Sequence, residues 1–185
     1  VFSRVTASRD MSTGTEWTPE ERALVARRRV VVGRRAYVDV PADGACLFRA
    51  FAFGLTNDPA FARERLTPEA RTVLQSLRDK AGDWQARHWA DVHEQALAVA
   101  DEAWLRGACA ETASARCMRR YTRGMRQPWR WGGHFELVAL ARVYGRTVVV
   151  RGDDFSKPLV IAGSERRRPV SLYYAGGAHY LARLA

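Results

Sequence analysis

The chain has 185 residues, of which 47% are hydrophobic and 27% charged, and a formal net charge of +10. That length and apolar content suit one globular domain with a sizeable core, and no internal repeat is visible. Charges interrupt every apolar run well short of the ~20 residues a membrane span needs, so no membrane partner is expected.

Residues 1–16 are polar and irregular, which predicts a flexible N-terminal segment without the continuous apolar stretch of a secretory leader. A single domain is expected over residues 17–185. Thr18-Pro19-Glu20-Glu21 supplies an N-cap, a proline at the first helical position and a capping-box glutamate, predicting a helix to about Arg29. Val30-Val31-Val32 and Ala36 to Val40 flank Gly33-Arg34-Arg35 and read as a strand pair or one bent strand.

Asp43 and Gly44 form turns readily, and the apolar run from Cys46 to Phe53 then predicts a buried helix. From Pro59 to about Gln127 the pattern is mostly helical. Thr67-Pro68-Glu69 starts one helix, with Ala70, Val73, Leu74 and Leu77 on one face. A second is expected from Gln85 to Arg106, because Trp89, Val92, Ala96, Val99, Ala100 and Ala103 recur every three or four residues.

Trp131-Gly132-Gly133 reads as a turn feeding an amphipathic helix that stops at Gly145. Thr147 to Val150, Leu159 to Ile161 and Val170 to Tyr174 are expected to form a meander of strands. A turn at Gly176-Gly177 leads to His179, which opens the last strand. Helices come first and most of the sheet last, so the class is α+β, with the cysteine helix packed against the sheet that carries His179.

Cys46 stands where a turn meets a helix, and the unpaired backbone N–H groups there favour a thiolate. Three cysteines, Cys46, Cys109 and Cys117, are too few and too unevenly placed for a disulfide scaffold, and an odd count predicts a reducing compartment, the cytoplasm by default. Cys109 and Cys117 lack a Cys or His partner at zinc-ligand spacing and read as structural. His88 and His93 are five apart on a predicted helix, so they do not share a face as a metal pair would. Neither a metal nor a cofactor is expected.

Lys80 and Lys157 are the only lysines, so arginine carries nearly all of the positive charge, densest at Arg27-Arg28-Arg29, Arg34-Arg35, Arg119 to Arg130 and Arg166-Arg167-Arg168. Such clusters invite a nucleic-acid partner. Arginine in place of lysine beside abundant alanine is also what a GC-rich genome produces, so nucleic acid is kept as a secondary partner.

Three blocks in order carry a family resemblance: Asp43-Gly44-Ala45-Cys46-Leu47-Phe48-Arg49-Ala50, then Trp131-Gly132-Gly133-His134-Phe135-Glu136-Leu137, then His179-Tyr180. Over about residues 37–183 the chain resembles the ovarian-tumour (OTU) family of papain-like cysteine proteases, most of which remove ubiquitin from proteins. The resemblance implies a papain-like OTU fold, a helical lobe packed against a small central β-sheet. It also implies a deubiquitinase with ubiquitin, polyubiquitin chains or a ubiquitin-like modifier as partner.

On that reading Cys46 is the nucleophile and His179 the base, and Gly44, Ala45 and Cys46 offer backbone N–H groups to the oxyanion. Asp43 would hold that turn rigid by capping its own backbone. Trp131, Gly132, Gly133 and Tyr180 would line the channel for the Gly-Gly tail of ubiquitin, although Trp131 reads equally well as a core aromatic. His134 occupies a position variable in the family and is not counted as catalytic.

The chain departs from the family at Leu181, where many members carry the Asp or Asn that orients the histidine. Either the site is a dyad or an acid comes from elsewhere; Asp39 is the preferred donor, with Asp153 and Asp154 behind it. Two alternatives are a weakly active OTU fold that binds ubiquitin without cutting it, and a basic nucleic-acid-binding domain.

Overall fold

The computed structural model describes residues 16–97, 109, 113–163 and 167–184. The expectations for residues 1–15 and for Val99, Ala100 and Ala103 lie outside the described residues.

The capping box closes as the sequence predicts: Thr18 Oγ1 accepts from Glu21 N at 3.2 Å, and Glu21 Oε2 accepts from Thr18 N at 2.8 Å. Helix α1 (Pro19–Arg27) leads into the antiparallel hairpin of β1 (Arg29–Val32) and β2 (Arg35–Asp39). The strand-pair reading holds because Gly33 takes a φ of +59° and lets the chain reverse.

Helix α2 (Cys46–Thr56) buries every residue from Cys46 to Phe53 and stops at Asn57 in the left-handed conformation. Phe48, Phe51 and Phe53 are fully buried, and each contributes about 1.5–3 kcal/mol of apolar transfer. A short 3₁₀ turn at Pro59–Ala62 precedes α3 (Pro68–Arg87), whose cap Thr67 Oγ1 accepts from Ala70 N at 3.2 Å.

The helix expected from Gln85 to Arg106 is interrupted. α3 ends at Arg87, His88 leaves helical geometry, and a separate helix α4 (Trp89–Leu97) begins. The His88 ring stacks on Trp84 at 4.4 Å, and its Nδ1 bonds Trp84 O at 2.8 Å, so local contacts satisfy the imidazole at the break. The change of direction brings Trp89 and Val92 into a small core with Cys117, Tyr121, Met125 and Phe135. Periodicity continues across such a break and does not register it.

Helix α5 (Ala115–Met125) is capped by Ser114, and α6 (His134–Tyr144) stops at Gly145 with φ +57°. Cys109 and Cys117 are joined by a disulfide, with Cα atoms 4.6 Å apart. This corrects the expectation of unbridged cysteines and removes its support for a reducing compartment. Spacing eight residues apart does not reveal that Cys109 lies against the first turn of α5.

The six-stranded sheet has the order β1-β2-β6-β5-β3-β4. β3 (Val148–Gly152) pairs antiparallel with β4 (Leu159–Ile161) and parallel with β5 (Val170–Ala175); β5 pairs antiparallel with β6 (His179–Arg183). The meander expectation therefore fails at β5. The chain passes β4, a short exposed edge strand, and crosses back to the other side of β3, where Val170 and Leu172 become buried. Strand periodicity is the same in either order, so only burial against α2 decides it.

One sheet face, including Val38, Tyr180 and Ala182, packs on α2 in the main core. The opposite face carries a smaller cluster of Tyr37, Tyr173 and Leu181. Among the described residues no helix is long and apolar enough to cross a membrane.

Candidate active site

The turn before α2 needs glycine at Gly44 for two reasons. Its φ is +80°, and a Cβ there would meet the backbone oxygen of Trp129 at 2.2 Å. Asp43 caps this turn as expected, Oδ1 accepting from Ala45 N at 3.1 Å. That bond occupies the Ala45 N–H, so Ala45 does not supply the oxyanion donor expected of it. Gly44 and Cys46 remain, and Cys46, the first residue of α2, has no intrahelical acceptor for its N–H.

Arg49, one turn along α2 and 1% exposed, grips Asp43 with Nε at 3.0 Å from Oδ2 and with Nη2 on the same oxygen. Its Nη1 donates to Arg63 O at 2.9 Å and Phe61 O at 3.3 Å. Cys46 is a buried free thiol at the head of the same helix. The turn before Cys46 is thus tied by charge pairing to the helix that follows it.

The acid comes from the neighbouring strand. Asp39 is the register partner of Leu181 across β2 and β6, and its Oδ1 lies 2.8 Å from His179 Nε2. Leu181 itself is buried with Tyr37 and Tyr173, so the position that usually carries the acid is spent on packing. Of the three carboxylates weighed, Asp39 meets the histidine. Asp153 instead accepts from Tyr173 OH and, at 2.9 Å, from Gly176 N, bonds that hold its carboxyl below the usual range. Asp153 thereby fastens the Gly176-Gly177 turn that delivers His179, while Asp154 stays exposed.

The imidazole of His179 is pushed up to about 9, first by hydrogen bonding to Cys46; burial opposes this, and Asp39 and the charge of the sulfur add to it. Nδ1 is buried, with no bond of standard geometry. Cys46 and Asp39 both stand close enough to the ring to act on it, and the direction of the shift rests on that proximity. Such contacts are commonly loose before substrate binds.

Trp131 is 56% exposed, which removes the core-aromatic reading, and Trp129 is 63% exposed beside the cysteine turn. A Cβ at Gly132 would meet the Phe48 ring at 2.9 Å, so this turn lies directly on α2. Gly133 N donates at 2.8 Å to Glu136 Oε2, and Glu136 Oε1 accepts from Gln85 and Tyr121 at 2.8 and 2.7 Å. Burial pushes the Glu136 carboxyl up, and these bonds pull against it. Tyr180 differs from the other expected channel residues: it is buried in the main core, its ring 4.8 Å from Tyr174, instead of lining a surface.

Sequence reasoning missed two supports, Arg28 and Arg78. Arg28 Nη1 donates to Asp39 O at 3.3 Å and stands 4.0 Å from its Oδ2. Arg78 interrupts the apolar stripe Leu74, Leu77, Ala81 yet is 2% exposed, and that interruption was the available signal.

A helix-head thiol, an imidazole of raised basicity and a carboxylate on the far ring nitrogen, in that order, form the kind of assembly that carries out nucleophilic acyl transfer in cysteine hydrolases. The comparisons agree with that class. The model of the OTU-like cysteine protease family matches residues 41–180, and the chain belongs to this family.

Its fold is similar to that of the viral OTU domain protease of Farallon virus, at 20% identity over 80% of this chain and 82% of that one, TM-score 0.54. It is also similar to the Hazara virus OTU bound to ubiquitin, at 17% identity over 85% and 95%, TM-score 0.54. An OTU deubiquitinase from Wolbachia pipientis wMel matches at 16% identity over 83% and 90%, TM-score 0.52. No curated protein matches the chain.

Proposed function

We propose that the protein is a deubiquitinase, a thiol isopeptidase that releases ubiquitin or a ubiquitin-like modifier from lysine. The observation that carries the reading is the 2.8 Å contact between Asp39 Oδ1 and His179 Nε2. It replaces the acid lost at Leu181 and favours a working site over an inactive ubiquitin-binding fold. The Hazara virus and Wolbachia likenesses, one bound to ubiquitin and one a deubiquitinase, support the choice of substrate.

Cys46 sulfur attacks the carbonyl carbon of the modifier's C-terminal glycine, and the N–H groups of Gly44 and Cys46 take the oxyanion. His179, held by Asp39, gives a proton to the leaving lysine amine as the C–N bond breaks and a thioester forms. Water then attacks the thioester, His179 accepts its proton, and the C–S bond breaks to free the carboxylate and the thiol. The Gly132-Gly133 turn and the exposed Trp131 line the path of the Gly-Gly tail.

Incubation with ubiquitin bearing a C-terminal cysteine-reactive warhead tests the reading. Wild type should form an adduct on Cys46, and Cys46→Ala should form none. An adduct on Cys109 or Cys117, or its persistence in the variant, overturns the assignment.

A further inference from the structure

Behind the cysteine turn lies a buried cation that the chemistry above does not use. Arg78 projects from α3 and is 2% exposed. Its guanidinium donates to three backbone carbonyls: Nη1 to Met125 O at 3.0 Å, and Nη2 to Pro128 O at 2.8 Å and to Gly44 O at 3.2 Å. The charge sits 4.1 Å over the Phe48 ring. Burying an arginine is costly unless its donors are well placed, and here they bridge the turn before Cys46 to the end of α5 at Met125 and the loop beyond it at Pro128.

The Gly44–Ala45 peptide is held at both ends. Arg78 binds its carbonyl oxygen, and Asp43 Oδ1, itself gripped by Arg49, binds its N–H at 3.1 Å. A planar peptide fixed at both ends has little freedom to rotate. The flanking peptide units, which carry the Gly44 and Cys46 N–H groups, can then turn only through the φ and ψ of Gly44 and Ala45. The Trp129 backbone packs against Gly44 closely enough to exclude a Cβ, which closes the turn from the third side.

We infer that Arg78 is a positioning residue that locks the oxyanion turn, so that the N–H groups of Gly44 and Cys46 point where the tetrahedral oxygen develops. This rests on the acyl-transfer reading of the site. Burial draws the Arg78 guanidinium down to about 10, while Glu136, Asp43 and Cys46 pull it back up, so the cation persists at neutral pH.

The test compares two reactions of Cys46 at one pH where the sulfur is fully ionised. Acylation by p-nitrophenyl acetate passes through a tetrahedral oxyanion, whereas alkylation by iodoacetamide is a direct displacement without one. Arg78→Met should slow acylation about 100-fold, the scale of losing an aligned oxyanion donor, while alkylation changes by less than about 3-fold. On a fluorogenic ubiquitin substrate kcat should fall by a similar factor with KM within about 2-fold of wild type.

Arg78→Lys keeps the charge and the stem and should recover part of the acylation rate; it carries the test alone if the methionine variant does not fold. Equal losses in acylation and alkylation, or unchanged acylation in both variants, overturn the proposal. A wild type that is acylated by the ester with this Arg78 dependence, yet fails to react with ubiquitin, supports the lock and removes the deubiquitinase reading alone.

Discussion

The cysteine side and the histidine side of the site are built differently. Cys46 sits in the main core, and its turn is held by two nearly buried arginines, Arg49 and Arg78. His179 emerges from a turn of two left-handed glycines, fastened by Asp153 from an exposed loop, with its side chain 22% exposed and that of Asp39 42%. On the proposed mechanism the nucleophile and its oxyanion donors need fixed direction, because misaligned donors forfeit most of their electrostatic effect. The base must shuttle a proton to a leaving amine and then take one from water, which tolerates and uses solvent access.

Substitutions on the histidine side show how far that looseness extends. His179→Ala should remove turnover by about 10³-fold or more, since no other group takes its proton-transfer role. Asp39→Ala should cost about 10- to 100-fold, because in a cysteine enzyme the acid chiefly orients the ring.

The pH profile separates the two roles. The imidazolium half of the pair is retained until pH passes about 9, so kcat/KM should fall there on the alkaline side. Asp39 is among the groups that raise His179, and its loss should move that limb to lower pH. The sign for stability is the same: with the folded value raised from 6.5 to about 9, the contribution of His179 is complete below about pH 6.5 and lost as pH rises through 9. An unchanged limb in Asp39→Ala, measured by kcat/KM against pH, would show that the contact does not act on the ring.

Leu181→Asp restores the residue common in the family yet should not raise activity. The new carboxylate would be buried among Tyr37 and Tyr173 and register-paired with Asp39, a like charge. A loss of stability on the order of 3 kcal/mol is expected in denaturant unfolding. A variant as stable as wild type and more active would mean that His179 is under-oriented by Asp39.

The smallest effect is expected at Asp153→Ala, which frees the Gly176 N–H and Tyr173 OH at an exposed site. Turnover should drop about 2- to 5-fold, with warhead labelling of Cys46 intact. A loss as large as that of Asp39→Ala would place the histidine turn among the rigid parts and erase the contrast.

Local chemistry made much of this legible in advance. The capping box at Thr18, the stop at Gly145 and the helix head at Cys46 are set by residues within one turn of one another, so sequence alone determined them. The Asp43 cap of its own turn belongs to the same group. Asp39 was legible only as a candidate, since its place opposite Leu181 depends on how β2 and β6 align.

Tertiary structure decided what involves distant segments: the crossover that places β5 beside β3, the helix break at His88, the Cys109–Cys117 bridge and the burial of Tyr180. Arg78 belongs there too. A charge in an apolar stripe announces only that something is unusual, and the three carbonyls that satisfy it come from residues 34, 47 and 50 positions away in the chain. Periodicity and capping report what neighbours along the chain do to one another. Which far segments share a buried polar group is set by packing, and no local pattern encodes it.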